Sequence, residues 1–220
     1  MMDIKEAIAA RHSVREYKDD PIAEDVRAKL DEFALQCGKE GGIDIRIIYD
    51  DPSGFDSGLA HYGGFKNVKN YIVLSGKPGA DFDYRCGYYG EKLVLFAQQL
   101  GLNTCWVALT FNKKKVKEIV PQGESLCMVI SLGYGTTQGS AHKGKTLKDV
   151  MKGEGPDWFK EGVEAALLAP TAMNQQKFIF SYEDQAPCIK VRGLGPYTKV
   201  DCGIAAYHFE AVTGRSLNRD

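Results

Sequence analysis

The sequence is sparing with the residues that announce metal, disulfide and membrane chemistry. It has four histidines in 220 residues. His61, His142 and His208 lie far apart with no ligand spacing, which argues against a metal site. The cysteines, at positions 37, 86, 105, 127, 188 and 202, are scattered, and none forms a C-x-x-C pair. Most sit in apolar runs, so they read as reduced core residues of a cytoplasmic protein rather than a disulfide frame. Long hydrophobic runs are also missing. The longest apolar stretch, residues 93–111, is interrupted by Gln98, Gln99 and Asn103 and is too polar to span a bilayer. The opening Met1-Met2-Asp3-Ile4-Lys5-Glu6 has neither the basic nor the apolar region of a signal peptide, again an expectation of a cytoplasmic location. Excess charge is lacking too. The formal net charge is −1, which offers no global field to steer nucleic acid or an anionic membrane, although a local anion site stays open. The length suffices for one large or two small domains.

What is present concentrates in two stretches. Residues 169–178 read Ala-Pro-Thr-Ala-Met-Asn-Gln-Gln-Lys-Phe and join an apolar helical run to a β-type run. Pro170 cannot continue a helix, so the chain turns there. Thr171, Asn174 and Gln176 then place a hydroxyl and two amides in a tight turn between rigid elements. Such groups suit a planar, polar-edged ligand; taken alone, the same residues also suit a helix stop with capping side chains. The other stretch is Arg11-His12-Ser13-Val14-Arg15. Three potential cations and a hydroxyl within five residues fit a phosphate, with Arg forks pairing its oxygens and Ser13 adding a bond. A solvated basic patch is the plainer alternative.

Between these stretches the periodicity predicts a mixed chain. Asp3 and Glu6 mark a helix start, and Pro21 opens a second helix closed near Gly38. Residues 43–47 and 71–75 read as strands, with a long loop over residues 50–64. A helix over residues 85–100 carries Gly87 and Gly90 on one face. A strand from Thr104 follows, then a short basic helix capped by Asn112 and a strand over residues 126–132. Asp157 caps a helix over residues 158–168, residues 178–182 form a strand with a partner near 188–191, and a last helix runs from Val200 to near Gly214.

Both singled-out stretches resemble the nitroreductase family of FMN enzymes. Its P-S-x-x-N-x-Q-P-W element is matched with Thr171 for Ser, Lys177 for Pro and Phe178 for Trp, and its basic cluster is matched by residues 11–15. Residues 101–106, Gly-Leu-Asn-Thr-Cys-Trp, resemble the family's G-L-G-T-C-W segment, after which the backbone runs along the flavin ring. Leu132-Gly133-Tyr134 is followed by Lys143 and Lys145, where the family carries a basic pair that reaches the FMN phosphate. The resemblance implies an α+β fold with a mostly antiparallel central sheet and flanking helices. It implies FMN held by Arg11, His12, Ser13, Arg15, Lys143 and Lys145 at the phosphate, by Pro170, Thr171, Ala172, Asn174 and Gln176 at the ring edge or ribityl chain, and by the backbone of Trp106, Val107 and Ala108 along the ring.

The order of these motifs is unusual, and a weak internal repeat accounts for it. Tyr84-Arg85-Cys86-Gly87-Tyr88 is echoed by Val200-Asp201-Cys202-Gly203-Ile204, each opening an amphipathic helix. Residues 1–152 resemble a whole subunit lacking the P-S-x-x-N turn; residues 153–220, after the Gly-Glu-Gly-Pro break, resemble the front of a second subunit that keeps it. In the family FMN sits at a dimer interface, so the expectation is one globular unit, a fused pseudo-dimer with one FMN per chain, monomeric or further paired. The implied activity is ping-pong transfer of reducing equivalents from NAD(P)H to an electron-poor small molecule, nitroaromatic- or quinone-like. The flavin performs the hydride transfer, so no catalytic acid, base or nucleophile is assigned. The alternatives are a flavin-fragmenting or dehalogenating relative, a non-catalytic FMN-binding regulatory protein, and a cofactor-free α+β interaction domain. The Tyr62-Gly63-Gly64-Phe65-Lys66 loop is a candidate to cover the ring or bind substrate.

Overall fold

A computed structural model describes residues 2–219. In chain order the elements are α1 (Ile4–Ala10), α2 (Glu24–Gly41), β1 (Asp44–Ile48), α3 (Gly58–Tyr62), β2 (Asn70–Gly76), α4 (Phe82–Gln99), β3 (Asn103–Val107), α5 (Lys113–Ile119) and β4 (Ser125–Gly133). They are followed by α6 (Leu147–Val150), β5 (Met151–Lys152), α7 (Asp157–Leu167), β6 (Phe178–Glu183), β7 (Ala186–Val191), α8 (Thr198–Thr213) and β8 (Asn218–Arg219). The expected antiparallel strands are divided between two four-stranded sheets. The first has the order β1-β2-β4-β3 and is antiparallel throughout. The second has the order β5-β6-β7-β8, an antiparallel hairpin flanked by short parallel edges.

Alternation along β2 explains why the first sheet is buried on both sides. Ile72 and Leu74 face the main core with α4 and α8, whereas Tyr71 and Val73 face a smaller core with Phe55, Phe65 and Phe111. Between the sheets run α4 and α8, whose backbones meet at glycine. A Cβ at Gly87 would fall 2.1 Å from the Val200 carbonyl oxygen, and one at Gly203 would fall 2.1 Å from the Tyr84 oxygen. The contact is reciprocal. Each glycine meets the carbonyl three residues before the other, and both follow a cysteine of the Cys-Gly repeat.

Several boundaries differ from those the periodicity suggests. Helix α2 starts after Ala23 rather than at Pro21, and Ile22 stays outside it as a fully buried core residue. The helix runs through Gly38 and stops at Gly42, whose φ of 57° supplies the left-handed cap. Pro156, not Asp157, is the N-cap of α7. The 50–64 segment is not all loop: Asp51 and Ser57 cap a 3₁₀ turn (Pro52–Gly54) and α3.

Gly87→Ala and Gly203→Ala should each lower unfolding free energy by about 1–3 kcal/mol, the usual range for overpacking against an unyielding neighbour. Because both relieve themselves by parting the same two helices, the double variant should cost less than the sum in chemical denaturation.

Candidate functional site

The two singled-out stretches meet in a cleft. α1 ends at Arg11, whose N–H closes on Ala7 O, and the chain then lies along β3: Val14 N–H donates to Thr104 O at 3.0 Å. That pairing brings the 11–15 cluster beside Trp106. Pro170 ends the run from α7, and the 171–176 turn closes the opposite wall.

The cleft has two adjoining parts. The larger, about 670 Å³, is lined by Ser13, Arg15, Trp106, Val107 and Ala108 on one side and by Pro170, Thr171 and Ala172 on the other. The smaller, about 290 Å³, is lined by Arg11, His12, Ser13 and Arg15 together with Pro170, Thr171 and Asn174. Ser13, Arg15, Pro170, Thr171 and Met173 belong to both. Thus the apolar end of β3 and Ala108 border one part, and the whole basic cluster borders the other.

Lys143, Lys145 and Gln176 line neither part. They brace the turn instead. Gln176 is fully buried. Its side-chain oxygen accepts from Lys145 N–H at 2.6 Å, its amide nitrogen donates to Leu167 O at 2.8 Å, and its carbonyl accepts from Lys145 Nζ at 2.7 Å. Asn174 Nδ2 donates to Lys143 O at 2.6 Å. These ties hold a backbone that left alone would relax, since Met173, Asn174 and Gln176 have φ of 52°, 54° and 45°. Thr171 Oγ1 accepts from Gln176 N–H at 3.1 Å, which leaves its own proton to donate.

Beneath the cleft is a buried polar cluster that sequence reading did not anticipate. Glu91, on α4 and fully buried, accepts from Trp106 Nε1 at 2.8 Å and lies 2.9 Å from His208 Nε2 on α8. His208 Nδ1 meets Ala165 O at 3.0 Å. Arg11 is 3% exposed, with Nε 3.7 Å from Glu91 and no hydrogen bond of its own. Its Nη2 donates to Leu168 O at 3.4 Å. Burial pushes the Arg11 pKa down, and the Glu91 charge opposes that. Burial, and then the Arg11 charge, likewise lower His12.

Further lining residues come mostly from loops, where no periodicity marks them, and from the start of α8. Ser140 and His142 border the smaller part. Gly63 and Phe65 border the larger, so the 62–66 loop does reach the cleft, with the Arg15 guanidinium 5.8 Å from the Phe65 ring centroid. Leu109, Thr110, residues 194–198 and Asp201 also line it. Asp201 Oδ1 accepts from Ala172 N–H at 3.0 Å. Burial raises its pKa to about 6, against the pull of that bond and of Lys177. Among the described residues no three His, Cys, Asp or Glu side chains converge as metal ligands, and no helix is long and apolar enough to cross a membrane.

A family model described as "Putative TM nitroreductase" matches residues 3–213. The chain belongs to this nitroreductase family. A crystal structure described as a putative nitroreductase from Thermotoga maritima is similar to it with a TM-score of 0.71 and 24% identity, over 98% of this chain and 87% of that one. A putative nitroreductase in complex with FMN from Desulfovibrio desulfuricans gives a TM-score of 0.56 at 19% identity, over 70% of this chain and 98% of that one. An FMN-dependent nitroreductase from Clostridium difficile gives 0.53 at 20%, over 66% and 95%. At these identities the structures establish the nitroreductase fold. No curated protein matches the chain.

Asp201 makes this nitroreductase-family fold sensitive to pH. Its folded pKa, about 6, lies above the ordinary 3.8, so the native state holds the proton more tightly than the unfolded chain. Stability should therefore fall as pH rises through that window. Asp201→Asn keeps an oxygen for Ala172 N–H and removes the charge. Denaturation at pH 4 should show little difference, and at pH 7.5 the variant should be more stable by roughly 1–3 kcal/mol.

Proposed function

We propose that the cleft binds one FMN per chain and that the protein is an oxidoreductase passing reducing equivalents from NAD(P)H to an electron-poor small molecule by a ping-pong route. The observation that carries this reading is the two-part cleft, basic and hydroxyl-bearing at one end, apolar and aromatic at the other. A flavin mononucleotide has the same division. Its phosphate, with roughly −1.5 to −2 charges, suits Arg15, Ser13 and His12 at the smaller part. Arg11 also lines the smaller part, although its buried Nε faces Glu91 at 3.7 Å rather than the cleft. The larger part is of ordinary volume for a cofactor site.

When bound, the flavin would supply hydride transfer. The chain's residues would bind, orient and exclude water. Thr171 would donate its free hydroxyl proton to the ligand's polar edge, with Ala172 and Asn174 beside it. Trp106, Val107 and Ala108 would wall the ring, with the indole fixed by Glu91 from behind. Phe65, Met128 and Ile204 would keep the larger part dry. Lys143 and Lys145 would act through the turn they brace rather than on the phosphate.

We further infer that the chain is a fused pseudo-dimer, with residues 1–152 and 153–220 as unequal repeats. The reciprocal Gly87 and Gly203 contact is what a two-fold axis between equivalent helices would produce. Nearly all of the shorter relatives' chains fit onto about two thirds of this one. The 171–176 turn then completes the site that the first repeat leaves open.

Purified protein should be yellow, and released flavin should total about one FMN per chain. Arg15→Ala should weaken FMN binding by about 10–150-fold, the range for losing a charged hydrogen bond, and Ser13→Ala by less. A colourless protein that cannot take up FMN would refute the assignment; unchanged retention in both variants would refute the phosphate end.

A further inference from the structure

Large apolar side chains scattered singly on a surface need no explanation, but here they gather. Among the described residues the most exposed are Leu194 at 95%, Met173 at 89% and Tyr62 at 88%. Leu194 and Met173 line the larger part of the cleft, and Tyr62 immediately precedes Gly63, which also lines it. Leu109, half exposed, is another lining residue. Leu109, Met173 and Leu194 come from separate segments of the chain, and they share nothing in sequence beyond a place at this mouth.

Three charged side chains line the same walls, Arg15, Lys177 and Asp201. Lys177 lies close enough to Asp201 to lower its pKa, and its Nζ donates to Leu194 O at 3.2 Å. Arg15 sits where the two parts of the cleft join. The outer end therefore offers little free charge against the apolar lip, since Asp201 is buried and Lys177 is engaged by the Leu194 carbonyl.

We propose that the molecule reduced in this cleft is an uncharged planar compound carrying an apolar tail, and that Leu109, Met173 and Leu194 form the lip on which the tail lies. The proposal rests on the flavin reading for the ring end, since the planar head would occupy the space beside the cofactor. The tail accounts for the lip. Side chains this exposed lose contact with water only when something apolar covers them, and the lip is continuous with the cavity that takes the head.

The test is equilibrium binding of n-alkyl 4-hydroxybenzoates, methyl to pentyl, by isothermal titration calorimetry. These probes are not reducible, so binding is read apart from turnover. It is run on flavin-loaded and flavin-free protein, with flavin stoichiometry measured separately to judge the cofactor assignment. Affinity should rise about three- to fourfold per methylene over the first few members, the gain expected from burying a CH₂. The Leu109→Ser/Leu194→Ser double variant should flatten that slope while changing methyl-ester affinity less than twofold. A flat series in both forms of the wild-type protein overturns the proposal whatever the stoichiometry. So does a solution dimer that falls apart in the double variant, because a second copy would then be what covers the lip.

Discussion

Everything in this molecule depends on two helices meeting backbone to backbone at one point. Gly87 and Gly203 let the backbones of α4 and α8 close to a distance that any Cβ would prevent. Residues on either side of that contact are then carried into reach of the opposite half. One turn beyond Gly87 stands Glu91, which meets His208 across the interface. Two residues before Gly203 stands Asp201, which holds Ala172. Two residues before Gly87 stands Arg85, whose Nη1 donates to the carbonyls of Gly41 and Gly42 at 2.7 and 3.0 Å. Asp201 and Arg85 thus do corresponding work with opposite charge. One fastens a turn by its N–H, the other by its C=O.

The buried cluster around Glu91 turns this crossing into a rigid site. A carboxylate removed from water is tolerated only when charges and donors surround it. Glu91 has Arg11, Trp106 and His208, each from a different element. Losing one partner would leave the others unbalanced in a dry interior, so the end of α1, β3 and the two central helices are set as a group. The walls of the cleft inherit that order. Trp106 presents its ring from a fixed nitrogen, and Arg11 is held at the base of the smaller part.

Much of the element pattern was legible because it follows local rules. The capping box at Asp3 and Glu6 forms as its spacing suggests, and Asn112 caps its helix. Alternation located β1, and apolar runs located β2 and β4. The meeting of residues 11–15, 106–108 and 170–174 could be expected only through family resemblance, because nothing local in the chain links them. Two kinds of feature escaped. The loop residues Ser140, His142 and Leu194 have no period to betray them. The work of Lys145 and Gln176 also escaped, because a lysine near a basic motif looks alike whether it meets an anion or a backbone carbonyl. Glu91 was hidden for a further reason. In a helix rich in polar residues, only the packing of α8 against it distinguishes a buried carboxylate from a solvated one.

The cleft draws one wall from before residue 153 and the other from after it, and both belong to a single polypeptide. A site shared between separate subunits dissolves when the protein is diluted below the subunits' own dissociation constant. Covalent linkage replaces that bimolecular step with an intramolecular one of fixed effective concentration. Here the two walls find each other at any protein concentration. Retention of a ligand held between them then depends on the ligand's concentration alone, so a cell could keep such a protein scarce without losing its site.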